Sequence, residues 1–360
     1  VNAGNSIESG GNYNVVVGDE AGTAITTGDN NVAVGYQALD ANTTGYSNVA
    51  VGAEALSTQI AAGYNNTAVG YQALKLNLSG TENSAFGRVA LGANTTGNNN
   101  TAGGNYALLS NTTGSSNTAV GSFALDANTT GGSNVAVGYG AAGANTTGTG
   151  IVAVGTNSLD ANTTGTYNVA IGNDSLSGNT TGTHNVAAGQ GALYANTTGT
   201  YNTGLGVSAL DANTSASNGT AVGGNALGAN TTGDANTAVG AAALDANTTG
   251  YHNVALGHNA LTTNITGIQN VAVGTDSLAN HTTNNTTAVG HDSLATNTSG
   301  TGNSAFGYRA LTANTTAANN TAVGSNSLDV NTTGANNTAV GSNALGANTT
   351  AANNVAVGNG

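Results

Sequence analysis

Residues Asn31 to Ser47 read NVAVGYQALDANTTGYS, and the chain then starts the same phrase again with NVAVGAEALS. If the first residue of each N-[VT]-A-V-G box is position one, the boxes begin at residues 14, 31, 48, 66, 83, 100, 117, 134, 151, 168, 185, 202, 219, 236, 253, 270, 286, 303, 320, 337 and 354. Eighteen of the twenty intervals are 17 residues long, the interval from 48 to 66 is 18, and the interval from 270 to 286 is 16. Self-similarity at a fixed period is the signature of a stacked repeat architecture. We therefore predict an all-β fold, a parallel β-solenoid (β-roll or β-helix) of about 20 coils.

The domain organisation follows from where the repeat begins. We predict an irregular N-terminal coil over residues 1–13, continuing from a longer chain, and a single repeat rod over residues 14–360. With about 4.8 Å per coil, such a rod is about 95 Å long.

Composition limits the partners. Only 5% of the residues are charged, and three Lys and Arg against sixteen Asp and Glu give a formal net charge of −13. This charge argues against nucleic acid or an anionic membrane surface as a partner. The chain has no Cys, which excludes a disulfide scaffold, and no apolar run long enough for membrane insertion.

Two apolar columns predict the core. Positions two to four alternate like a half-buried strand, and position four is Val, Ile, Leu or Phe in nineteen of twenty-one coils. Position nine is Leu in eighteen of the twenty coils that reach it. We predict that both columns face the core, as represented by Val34, Leu39, Val51, Leu56, Val120, Leu125, Val239 and Leu244.

Position five is Gly in every coil, which indicates a backbone with positive φ or a close approach of another segment. The predicted structural turn glycines include Gly18, Gly35, Gly52, Gly70, Gly87, Gly121, Gly138, Gly155, Gly172, Gly240, Gly274 and Gly341.

Position twelve, within the ANTTG segment, is Asn in most coils. In stacked coils each amide can bond to the amides above and below it, which forms an Asn ladder. The same Asn-Thr-Thr triplets are formal N-glycosylation acceptors, so a glycan at this column is the alternative. The residues concerned are Asn42, Asn94, Asn111, Asn128, Asn145, Asn162, Asn196, Asn230, Asn247, Asn314, Asn331 and Asn348.

Acidic residues test the stacking. The aspartates at position ten never occur in consecutive coils, as expected where in-register carboxylates would repel each other. Asp276 and Asp292 are the exception, because both occupy position seven of adjacent coils. We expect exposed, solvated carboxylates there, and an ion between them is the alternative.

The N-[VT]-A-V-G box, as in Asn48 to Gly52 and Asn134 to Gly138, resembles the head repeats of trimeric autotransporter adhesins. The phrase NTAVGYQAL from Asn66 to Leu74 also resembles repeats of phage and bacterial tail-fibre-like proteins. The resemblance implies a left-handed parallel β-roll, an extracellular fibre and a homotrimer. The adhesin-head coil is shorter than 17 residues, and ANTTG is the added piece.

We predict that the histidine, tyrosine and threonine side chains, which could bind a metal, a sugar or ice, lie at the surface. The histidines occupy positions six, twelve or seventeen without metal-ligand spacing, and we expect them to be exposed turn residues: His184, His252, His258, His281 and His291. Tyr36, Tyr71 and Tyr139 at position six could stack on sugars, but we favour scattered surface aromatics. The adjacent pair Thr43 and Thr44 differs from the Thr-x-Thr spacing of ice-binding solenoids.

We expect no enzymatic activity, no cofactor and no metal. The predicted function is a structural repeat segment of an extracellular or cell-surface fibre or adhesin that forms a rigid rod or filament for attachment, biofilm cohesion or display. Its predicted partner is itself, as a homotrimer or an end-to-end filament, with a surface glycan or host receptor as a further partner. A virion tail-fibre shaft and an ice-binding β-solenoid are the alternatives.

Overall fold

The computed structural model describes residues 2–7, 11–60 and 63–360, and these residues form an all-β fold without helices. The chain divides into two compact units, Val1–Thr181 and Gly182–Gly360, which are described separately. Each unit is a parallel β-solenoid whose coils contain about 17 residues, and the two units together contain about 20 coils. The predicted all-β parallel β-solenoid of about 20 coils is therefore confirmed.

Each coil contributes one strand of three residues, at positions two to four. The strands of the first unit are β1 Val15–Val17, β2 Val32–Val34, β3 Val49–Val51, β4 Thr67–Val69, β5 Ser84–Phe86, β6 Thr101–Gly103, β7 Thr118–Val120, β8 Val135–Val137, β9 Val152–Val154 and β10 Val169–Ile171. Those of the second unit are β11 Val186–Ala188, β12 Thr203–Leu205, β13 Thr220–Val222, β14 Thr237–Val239, β15 Val254–Leu256, β16 Val271–Val273, β17 Thr287–Val289, β18 Ser304–Phe306, β19 Thr321–Val323, β20 Thr338–Val340 and β21 Val355–Val357.

Within each unit, equivalent residues of successive coils lie side by side. Strand β2 pairs with β3 in parallel so that Ala33 lies opposite Ala50, and β13 pairs with β14 so that Ala221 lies opposite Ala238. Outside the strands, backbone bonds also join the coils, as from Leu39 N to Ala55 O at 3.0 Å. Adjacent coils are thus hydrogen-bonded on walls that contain no strand.

The two irregular intervals keep the register of the strands. Ala50 lies opposite Ala68 across the 18-residue interval, and Ala272 lies opposite Ala288 across the 16-residue interval. The extra and the missing residue are therefore accommodated outside the strands.

The prediction that position four faces the core is wrong. Val34, Val51 and Val239 are only half-buried, and Val120 is 45% exposed. Instead, position three faces inward, and Ala33 is fully buried. Positions two and four share one face of the strand because side chains alternate, so both columns lie on the outer face.

The reason is the narrow interior of the coil. Gly204 replaces Ala at position three, and a Cβ there would lie 3.1 Å from Ala209 O and 3.4 Å from the Cγ of Leu193. Where position nine is Leu, a methyl group fills this space, and a Val or Ile side chain would not fit. Position three is Val16 in the coil that begins at residue 14, where position nine is Gly22 instead of Leu. The prediction for position nine is confirmed, because Leu39, Leu56, Leu125 and Leu244 are all fully buried.

The position-five glycines meet both requirements that the sequence indicates. Gly35 has a φ of 133°, and a Cβ built on it would lie 2.6 Å from Gly52 O in the next coil. A side chain would therefore be strained in its own backbone and would also collide with the adjacent coil. The other predicted turn glycines share the positive φ: Gly18, Gly52, Gly70, Gly87, Gly121, Gly138, Gly155, Gly172, Gly240, Gly274 and Gly341.

Three other positions of the coil use the left-handed region without requiring Gly. Positions seven, nine and seventeen have positive φ in most coils, as in Gln37 (53°), Leu39 (54°) and Ser47 (56°). A left-handed non-Gly residue costs about 1–3 kcal/mol, so each coil depends on its neighbours to hold this conformation.

Candidate functional site

The Asn side chains at position twelve form an amide column inside each unit. Asn128 Nδ2 donates to Asn111 Oδ1 at 2.9 Å and to Gly131 O at 3.0 Å, and Asn145 Nδ2 donates to Asn128 Oδ1 at 2.9 Å. Buried amides satisfied in this way bind one coil to the next and fix the turn at position fifteen. The predicted ladder is present.

The other predicted ladder residues are also inside the coil. Eleven of the twelve are at most 1% exposed and Asn348 is half-buried, and the set is Asn42, Asn94, Asn111, Asn128, Asn145, Asn162, Asn196, Asn230, Asn247, Asn314, Asn331 and Asn348. A glycan on any of these residues would be attached through Nδ2. In Asn94 this atom donates to Asn77 Oδ1 at 2.8 Å and to Gly97 O at 3.0 Å. Glycosylation of such a residue therefore requires that its coil first opens.

A second amide column, at position one, was missed from the sequence. Asn48 Oδ1 accepts from the backbone N of Asn66 at 3.1 Å, and Asn48 Nδ2 donates to Gly63 O at 3.0 Å. The side chain thus spans from the start of its coil to Gly63, which takes the place of the position-fifteen Gly in this 18-residue coil. The near-invariant Asn that opens each box is the sequence signal of this column.

The two irregular coils replace the position-twelve Asn. In the coil that begins at residue 48, Gln59 takes this place, with Nε2 donating to Asn42 Oδ1 and Oε1 accepting from Asn77 Nδ2, both at 3.2 Å. The longer side chain thus preserves the ladder in the longer coil.

In the coil that begins at residue 270, position twelve is His281. The prediction that this histidine is an exposed turn residue is wrong, because its side chain is fully buried. Its Nδ1 accepts from Asn297 Nδ2 at 2.8 Å, but Asn264 Oδ1, on the other side, is buried without a hydrogen-bond partner. Burial lowers the pKa of His281 to about 4. The ladder is interrupted at this coil.

The outer strand face is an uncharged surface on each unit, with a mostly apolar column at position four and a column at position two that is Val in ten strands and Thr or Ser in eleven. Positions two and four of the described strands contain only Val, Ile, Leu, Phe, Ala, Gly, Thr and Ser. Several of the larger side chains are well exposed, including Phe86 at 47%, Ile171 at 46% and Phe306 at 41%. This surface is the strongest candidate for an interaction site, because monomeric proteins rarely expose a continuous apolar patch.

The acidic column at position ten is partly buried. Burial raises the pKa of Asp40, Asp126, Asp211 and Asp245. Where two of these aspartates lie two coils apart, the coil between them carries Gly, as Gly228 does between Asp211 and Asp245. A Cβ at Gly228 would lie 2.6 Å from Asp245 Oδ1, so the Gly leaves room for the carboxylate.

Of the two adjacent Thr residues at positions thirteen and fourteen, only the second is exposed. Thr95 Oγ1 donates to Thr112 O in the next coil at 2.9 Å and is half-buried, whereas Thr96 is exposed. The hydroxyl group at position thirteen thus belongs to the backbone network, and only position fourteen faces water. Tyr36, Tyr71 and Tyr139 lie at the surface, between 45% and 57% exposed.

A cavity of about 560 Å³ lies beside the last coil, among Asp329, Asn343, Leu345 and Ala356. No helix among the described residues is both long and apolar enough to cross a membrane.

No known family model and no curated protein matches the chain.

Proposed function

We propose that this chain is a structural repeat segment of an extracellular or cell-surface fibre or adhesin, and that its partner is another copy of itself. The observation that carries the proposal is the outer strand face, which is uncharged along each unit and carries a mostly apolar column at position four beside Val, Thr and Ser at position two. Such a segment would serve attachment, cohesion or display by holding other elements at a distance.

The size of the face is sufficient for a specific contact. The first unit has ten strands, which at about 4.8 Å spacing extend over about 48 Å, and two outward side chains per strand make a strip about 10 Å wide. The strip therefore offers about 500 Å² on each copy. Two copies would bury about 1,000 Å², which reaches the lower bound for a specific interface.

The periodicity of the face favours a second copy over an unrelated protein. Its side chains repeat at the strand spacing, and an identical face repeats at the same spacing, so the ridges of one copy can fit between those of another. An unrelated globular surface has no such period. The charged side chains lie on other walls of the coil, as Glu54 and Lys75 do in an ion pair at positions seven and ten.

The repeated polar side chains also suit a structural role. The amides at positions one and twelve are occupied by bonds within and between coils. They therefore stiffen the stack and leave few groups for recognition. From the resemblance of the repeat we further propose a left-handed coil and a homotrimer. A tail-fibre shaft would use the same geometry, and imaging of the native assembly would separate the two.

The test places charges on the strand face. In the variant Val120→Lys/Val137→Lys/Val154→Lys, three consecutive coils carry a Lys at position four. Its matched control, Thr130→Lys/Thr147→Lys/Thr164→Lys, adds the same charge to the same coils at the exposed position fourteen. Sedimentation equilibrium of wild type and both variants gives the mass of each assembly.

We expect wild type and the Thr variant to form the same oligomer and the Val variant to be monomeric, because desolvating three ammonium groups in an apolar contact is costly. A wild-type chain that stays monomeric at high concentration would contradict self-association. Dissociation of both variants alike would show that net charge, and not this face, controls assembly.

A further inference from the structure

A cluster of ligand-type side chains lies in the second unit, away from the strand face. One ligand atom from each of Asp276, His291 and Asp292 lies within 4.8 Å of the others. His291 Nδ1 is 3.1 Å from Asp292 Oδ2, and the two aspartates are half-buried. An imidazole and two carboxylates are a ligand set that suits divalent transition metals.

The same column elsewhere separates its carboxylates. At position seven of the first unit, Glu20, Gln37, Glu54 and Gln72 occupy four successive coils. Gln37 Nε2 donates to Glu20 Oε2 at 2.6 Å, and Gln72 Nε2 donates to Glu54 Oε2 at 3.0 Å. An amide donor thus follows each carboxylate, and no two carboxylates are adjacent.

Asp276 and Asp292 break this pattern. They occupy position seven of adjacent coils, and Asp292 N donates to Thr275 O at 3.1 Å, so the two coils are in direct contact. Two carboxylates about 5 Å apart repel each other unless a cation lies between them. In the described part of the chain, Arg309 of the next coil forms no ion pair with Asp292.

The cluster begins on the irregular coil. Asp276 belongs to the 16-residue coil, whose ladder position is His281. The ladder bond toward the preceding coil is missing, because Asn264 Oδ1 has no partner, whereas His281 Nδ1 accepts from Asn297 Nδ2 of the following coil at 2.8 Å. An ion held by Asp276 on this coil and by His291 and Asp292 on the following coil would add a second side-chain link between the same two coils.

We propose that Asp276, His291 and Asp292 bind one divalent transition metal ion, such as Zn²⁺, with water completing its coordination. Zinc ligands lie about 2.1 Å from the ion, which places tetrahedral ligands about 3.4 Å apart. The ligand atoms now lie within 4.8 Å of one another, so side-chain rotations must bring them closer by up to about 1.4 Å. Asn259 Nδ2 donates to Asp276 Oδ1 at 3.2 Å and orients that carboxylate.

The experiment is a calorimetric titration of the tag-free chain with Zn²⁺ at neutral pH. The test variants are His291→Gln, Asp276→Asn and Asp292→Asn. The controls are His258→Gln, at the same position six two coils away, and Asp174→Asn, at position seven without an acidic neighbour. We expect one Zn²⁺ per chain, with affinity weakened about tenfold or more in each test variant and unchanged in the controls.

Thermal unfolding gives a second readout that does not depend on calorimetry. Without metal, Asp276→Asn should raise the unfolding temperature because it removes the carboxylate repulsion, whereas with Zn²⁺ the wild type should gain stability and the variant should not. Absence of saturable Zn²⁺ binding below millimolar metal would overturn the proposal. Equal affinity of His291→Gln and wild type, or tighter binding of Ca²⁺ than of Zn²⁺, would also overturn it.

Discussion

Replacing the buried histidine by the residue that the ladder normally uses, His281→Asn, should remove a pH dependence from the stability of the chain. Burial lowers the pKa of His281 from 6.5 to about 4. The folded state therefore keeps the ring neutral, while the unfolded state takes up a proton as the pH falls below 6.5. The stability contribution is present above pH 6.5, is lost progressively as the pH falls, and is gone below about pH 4.

The magnitude follows from the difference between the two pKa values. Relative to neutral pH, the free energy of unfolding should fall by about 2 kcal/mol at pH 5 and by about 3 kcal/mol at pH 4 from this group alone. In His281→Asn this loss disappears. The new amide can also donate to Asn264 Oδ1, which is buried without a partner, and this bond should add about 1 kcal/mol at neutral pH.

The assay measures denaturant unfolding of wild type and His281→Asn from neutral pH to pH 4. Native-state hydrogen exchange of the coil from residue 270 to 285 is followed in parallel, because neighbouring coils can open independently. The same aspartates titrate in both proteins in this pH range. Subtracting one free energy of unfolding from the other therefore removes their contribution. His258→Asn, which replaces an exposed ring, is the control and should behave like wild type.

Two outcomes would refute the reasoning. The first is a stability difference between wild type and His281→Asn that stays constant with pH. The second is an NMR titration in which the His281 ring protonates near pH 6.5, as it would if the side chain were exposed to solvent.

Three further predictions concern the glycine, amide and aspartate columns. Gly121→Ala should lower the free energy of unfolding by at least about 3 kcal/mol, because φ is 136° and the new Cβ would lie 2.3 Å from Gly138 O. The control Gly103→Ala should be nearly neutral, because nothing lies within 4 Å of its new Cβ. Equal losses for the two variants in denaturant unfolding would contradict the stacking. Asn128→Ala should cost about 3 kcal/mol because it leaves buried amide and carbonyl groups unpaired, and intact-mass analysis of secreted protein should find no glycan on wild-type Asn128. Asp126→Asn should raise the free energy of unfolding at neutral pH, because burial raises the pKa of Asp126 and makes its charged form costly above that pKa. This gain should vanish near about pH 3, where the carboxyl group is protonated. A gain that persists in acid would point to another cause.

The columns that the sequence predicted correctly are those whose chemistry admits one arrangement. A Gly that never varies, as at Gly35, indicates a backbone that no other residue can adopt, and a recurrent Leu such as Leu39 fills the largest internal space. An Asn that recurs in most coils, such as Asn128, meets the Asn of the next coil through an amide hydrogen bond. These inferences need the period and nothing else.

The inward face of the strand could not be chosen by hydrophobicity. In the triplet Val-Ala-Val, alternation permits either face to be inside, and the larger side chains suggested the outer positions as core. The structure places Ala33 inside because the interior opposite the Leu column accepts only a methyl group. Near-invariance of a small residue, together with variation among Val, Phe and Gly at position four, was the available signal of a tight interior and an open face.

Single departures from the repeat were the least predictable features. His281 is buried because it occupies a ladder position, which its place in the coil indicates and its residue type does not. His291 directly precedes Asp292, but its proximity to Asp276 depends on the stacking of two coils. The sequence therefore identified the two carboxylates but not the histidine as their third neighbour.

The central claim is that successive coils stack in register at one strand spacing, and spin-label distances measure this directly. The chain has no Cys, so labels can be placed at chosen pairs of position-four residues within the first unit. For Val34→Cys/Val120→Cys, five coils apart, and Val34→Cys/Val154→Cys, seven coils apart, we expect separations of about 24 Å and about 34 Å, increasing by one strand spacing per coil. Separations that do not increase in proportion to the number of coils would contradict the solenoid and every inference built on it.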